Sequence, residues 1–181
     1  IHESIGHPLE LDRILGDERN YAGTSFVTLD MFGSYRYGSD LLNITFDPER
    51  SEQFASYRFD DDGLPAQREF IIRNGILERP LGGVTSQARA AMAGVSNSRA
   101  NGWNRPPIDR MANLNLEPGE STFNELVSRV EQGVFMRSNC SWSIDDSRNK
   151  FQFGCEWGQL IENGELTTVV KKPNYRGVSA T

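Results

Sequence analysis

Phe151-Gln152-Phe153-Gly154-Cys155-Glu156-Trp157-Gly158-Gln159-Leu160-Ile161 runs into Glu162-Asn163-Gly164 and returns as Glu165-Leu166-Thr167-Thr168-Val169-Val170. Asn-Gly between two such runs is the strongest short-range hairpin signal, because both residues tolerate positive φ. The stretch therefore predicts an antiparallel hairpin. The same turn chemistry recurs in Ile72-Arg73-Asn74-Gly75-Ile76-Leu77. There it predicts a second hairpin system, with Phe54–Phe59 paired to Gln67–Arg73 through Asp61-Asp62-Gly63.

Around these hairpins, Leu42–Phe46 alternates apolar and polar residues like a half-buried strand. Thr24–Met31 is rich in β-branched and aromatic residues and reads as a strand. Helices are fewer. Residues 1–15 form a short one, with Gly16 placed to stop it. Thr85–Met92 is a second. Thr122–Gln132 is the best, with Thr122 and Glu125 as a capping box, Phe123, Leu126, Val127 and Val130 on one face, and Gly133 at its end. Gly94–Pro107 reads as a long loop whose Trp103 is expected to pack on the core. The fold class is α+β: mainly antiparallel β hairpins, a motif helix near the N-terminus and one amphipathic helix at 122–132.

The 181 residues amount to one domain, 37% hydrophobic and 24% charged, a soluble globular composition with no membrane-length apolar run. The net charge of −6 argues against a nucleic-acid binder, which needs a basic face. No phosphate-binding loop occurs. Cys140 and Cys155 are too few for a disulfide scaffold, so a reducing, cytoplasmic setting is expected. Both are expected to be small buried residues.

The only histidines lie in Ile1-His2-Glu3-Ser4-Ile5-Gly6-His7. Imidazole is the commonest metal ligand, and a carboxylate beside the first ligand is where a general base would sit. On a regular α-helix, however, residues five apart point roughly 140° away from each other. A π turn, bonded i to i+5, would bring them together. Pro8, which has no N–H for the Ser4 carbonyl, and Gly6, with its backbone freedom, favour such a distortion. The motif alone leaves two readings open, a metal pair or ordinary surface histidines.

Extended to His2-Glu3-Ser4-Ile5-Gly6-His7-Pro8-Leu9-Glu10-Leu11-Asp12, the motif becomes H-E-x-x-x-H-x-x-E-x-D. This resembles the TldD/PmbA family of metalloproteases, once described as modulators of DNA gyrase, and specifically its metal-binding TldD-type subunit. Phe59-Asp60-Asp61-Asp62-Gly63, Ile72–Leu77, Arg105–Asn113, Pro118-Gly119 and Leu160–Gly164 continue the likeness in family order. The resemblance implies that residues 1–181 are an incomplete part of a C-terminal metalloprotease domain. It implies zinc-dependent hydrolysis of unfolded or small peptides, with His2 and His7 as metal ligands and Glu3 as the catalytic base. Glu10 and Asp12 are candidates to orient the imidazole N–H, or else are solvated acids. The family's third ligand is a cysteine in a Cys-Gly-Lys segment. None occurs here, so it is expected beyond Thr181, with zinc weakly held or absent and activity lost in this piece alone. A homo-oligomer or a TldE/PmbA-type partner subunit is expected. The rival is a non-catalytic regulatory or binding protein.

Overall fold

The computed structural model describes residues 1–179. The chain, read from its length as one domain, clusters into two compact units. The first comprises residues 1–117 with 146–149, and the second residues 118–145 with 150–179. The mixture of few helices and antiparallel sheets is the expected α+β class.

In the first unit, Ile44–Phe46 (β1), Glu69–Arg73 (β2), Ile76–Leu77 (β3) and Leu114–Leu116 (β6) form a sheet in the order β3-β2-β1-β6. Asn74 (φ 49°) and Gly75 (φ 76°) make the β2–β3 turn, as their sequence predicts. Helices Leu11–Ile14 (α1) and Val84–Ala90 (α2) and the short ribbon Ser98–Arg99 (β4) with Ile108–Asp109 (β5) complete the unit. Leu9, Val27, Ile44, Phe46, Ile71, Ile72, Leu77, Leu81 and Val95 form its core. β1 is fully buried rather than half-buried, because Thr45 turns its hydroxyl to Glu117 Oε1.

Two expected strands are not strands. At Thr24–Met31 the chain is irregular and ends in a 3-10 turn, Leu29–Met31. Ser25 accounts for part of this: its Oγ donates to Pro8 O and accepts the Val27 N–H, satisfying backbone that a ladder would otherwise need. Phe54–Phe59 does not pair with β2, whose partners are β1 and β3. Only Phe59 forms an isolated bridge, to Pro65. Trp103 is exposed and not packed on the core.

In the second unit, Lys150–Glu162 (β8) is central. Gln132–Ile144 (β7) pairs along one side, and Glu165–Lys171 (β9) and Asn174–Val178 (β10) share the other. The β8–β9 turn has Asn163 at φ 52° and Gly164 at φ 82°, as the opening stretch requires. Thr122 caps Phe123–Ser128 (α3) through the expected capping box. The helix stops before Gln132, because Gln132 already begins β7. Cys155 is buried as expected. Cys140 is exposed: the β7–β8 register slips between Asn139 and Ser141, leaving Cys140 as the extra residue of a bulge.

Candidate metal centre

The first nine residues abandon α geometry at the point where the histidine spacing needs it. His2–Gly6 is a π turn and His7–Leu9 a 3-10 turn. The Gly6 N–H donates to Ile1 O at 2.9 Å, and the His7 N–H donates to His2 O. This i to i+5 bonding stacks residues five apart. The His2 and His7 rings meet edge to face, with centroids 4.6 Å apart. Ser4 O, for which Pro8 has no donor, accepts the Tyr37 hydroxyl. Gly6 keeps an ordinary helical φ of −60°, so its freedom is not what is used. A Cβ there would lie 1.7 Å from Met111 Sδ; the glycine is needed for close packing.

A polar network holds the site from behind. Glu10 is fully buried, and its Oε2 lies 2.9 Å from His7 Nδ1. That acceptor places the proton on Nδ1 and leaves the Nε2 lone pair available to a metal. Arg13 Nε donates to the same Oε2 at 2.6 Å, and its Nη1 donates to Ala22 O at 2.6 Å. Glu10 Oε1 is buried without a partner. Glu3 Oε1 lies 3.3 Å from His2 Nδ1, and Glu3 Oε2 lies 3.3 Å from Arg148 Nη1. Arg148 Nη2 donates to Ala22 O at 2.6 Å. Burial, with the neighbouring His7 imidazole, lowers the His2 pKa. The His2 side chain is still 67% exposed, so the desolvation is modest; its direction favours the neutral ring that a metal requires.

His2, Glu3 and His7 each present a ligand atom, all within 4.8 Å of one another. The donor set fits a zinc-type ion: two imidazoles on one face, at least one oriented by a buried carboxylate. Among the described residues, neither cysteine joins this cluster; the expected ligand beyond Thr181 lies outside them. Of the two acids considered for orienting the imidazoles, Glu10 contacts His7. Asp12 instead accepts the Asp17 N–H at 3.0 Å. Arg13, Tyr37 and Arg148 were not anticipated. Arg13 stands three residues after Glu10 and was open to an i, i+3 reading. Arg148 is 145 positions from Glu3, and no local signal points to it.

Residues 1–178 match the model of the PmbA/TldA metallopeptidase C-terminal domain. A metalloprotease of Methanocaldococcus jannaschii is 34% identical over 98% of the chain and 37% of its own length. A zinc metalloprotease TldD homolog of Saccharolobus solfataricus is 28% identical over 97% of the chain and 38% of its own length. The crystal structure of TldE from Thermococcus kodakarensis superposes with a TM-score of 0.77 at 15% identity, covering 97% of the chain and 38% of that protein. The chain thus spans little more than a third of the length of these relatives.

Proposed function

The chain belongs to the PmbA/TldA metallopeptidase C-terminal domain family, and from that premise we propose that it carries the metal-binding and general-base residues of a zinc-dependent peptidase. The carrying observation is the π turn that gathers His2, Glu3 and His7. The family match covers residues of both units.

His2 and His7 would hold the ion, His7 by the ring nitrogen left free when its Nδ1 faces Glu10. When bound, zinc supplies Lewis-acid chemistry, polarising a carbonyl and acidifying water. Glu3 takes up a proton from the attacking water and returns it to the leaving amine. Two imidazoles are one short of the three protein ligands usual in catalytic zinc sites. The third is expected from beyond Thr181, so the 181 residues alone are expected to hold zinc weakly and not to cleave. Unfolded or small peptides suit the fold as substrates. β6 is an edge of its sheet, and Leu114 on it packs beside Gly6 of the π turn, so an extended peptide could add there as a strand. The partner is a second copy of the chain or a TldE/PmbA-type subunit. The preferred location is cytoplasmic, on the ground that two cysteines are too few for a disulfide scaffold.

The test is Glu3→Gln in the full-length protein. Zinc content is expected to stay at the parent level while chelator-sensitive peptide cleavage falls at least ~100-fold. Loss of zinc would make Glu3 a ligand instead. Zinc-loaded parent protein without cleavage would favour the regulatory, non-catalytic reading.

A further inference from the structure

Glu3 is held from outside its own motif. Arg148 Nη1 lies 3.3 Å from Glu3 Oε2, and both side chains are largely shielded, at 15% and 14% exposure. The other arm of the guanidinium donates to Ala22 O at 2.6 Å. Ala22 O is also the anchor of Arg13, which holds Glu10, which in turn holds His7. One backbone carbonyl therefore ties down two arginines, one behind the imidazole and one behind the carboxylate. The segment bearing Arg148 is fixed as well: Thr24 N–H donates to Asp146 O at 2.6 Å. Arg148 itself has φ 62°, a left-handed conformation that glycine adopts more easily. A non-glycine residue kept there calls for a reason, and the two guanidinium contacts supply one.

We infer that Arg148 is a positioning residue that fixes the Glu3 carboxylate for proton transfer. The inference rests on the peptidase reading above. Engaging Oε2 restricts the rotation of the carboxylate and makes Oε1, the oxygen 3.3 Å from His2 Nδ1, the proton-carrying atom. A guanidinium with one arm on Glu3 and the other on Ala22 O does this better than a lysine, whose single ammonium is a point charge on a flexible stem.

The experiment compares Arg148→Gln and Arg148→Lys with the parent full-length protein. Zinc content, kcat and KM are measured, and the Glu3 conformation is read in crystals of each. Arg148→Gln is expected to keep its zinc and its KM while kcat drops roughly 10- to 100-fold, the scale for losing a supporting contact. Arg148→Lys should recover part of the loss, and Glu3 should leave its parent conformation in Arg148→Gln. A kcat within about twofold of the parent overturns the inference. So does a joint loss of zinc and rise in KM that lysine does not repair, which would mark a merely structural strut. If the parent itself cleaves nothing, the peptidase reading fails separately, and the crystals still decide: an unmoved Glu3 in Arg148→Gln refutes positioning.

Discussion

At the residue scale, several acids that look available for chemistry serve the backbone instead. Asp60 accepts the N–H groups of Asp62, Leu64 and Ser98, Asp61 that of Ala100, and Asp62 that of Val84. The Asp-Asp-Asp-Gly run is thus a clasp between distant segments. Asp109 does the same for Asp12 and Gly83 at 2.9 and 2.7 Å, in a site so buried that its pKa rises from 3.8 to about 6. A raised folded-state pKa means the native state binds the proton more tightly than the unfolded chain. The resulting stabilisation is fully present below pH 3.8 and lost as pH rises through about 6. The swing amounts to about 3 kcal/mol. Carboxyl-resolved NMR should show Asp109 titrating near pH 6; an ordinary value below about 4.5 would contradict the burial argument. The approach of the His2 and His7 rings was legible in sequence because a five-residue spacing closes only over a π-type turn. Glu10 and Asp12 were not separable there, since both are acids on the same short segment and only the fold turns one of them to His7.

At the scale of elements, turn chemistry carried the most information. Asn74-Gly75 and Asn163-Gly164 both form the tight turns their residue types demand, because positive φ is a local requirement. Strand partners are not local. Gln67–Arg73 and Leu42–Phe46 were both expected as strands but not as each other's partners, and Phe54–Phe59 has the composition of a strand without a place in a sheet. The π turn was inferable from Pro8 and the five-residue spacing, but its support was not: Tyr37 lies 33 positions from Ser4. Tyr37→Phe removes the hydroxyl that satisfies Ser4 O. Leaving that partly buried acceptor unpaired should cost about 1–3 kcal/mol, read by denaturant unfolding. A change below about 0.5 kcal/mol would show that the carbonyl finds another donor.

At the scale of the molecule, two compact units, a net charge of −6 and a single His-Glu-His cluster among the described residues set the character of the chain. The charge disfavours a phosphate-backbone partner, while the family match places the chain in a metallopeptidase family. Ordered motifs spread along the sequence made that family legible before any geometry was available. The Arg148–Ala22–Arg13 bracing was not legible, because it joins segments that only folding brings together. The direct test of the metal site is anomalous diffraction at the zinc edge from crystals of the full-length protein. One zinc peak bonded to His2 and to Nε2 of His7, with a sulfur ligand from another segment and Glu3 beside it, is the expected result. Stoichiometric zinc bound elsewhere, with the His2 and His7 rings bare, would contradict it.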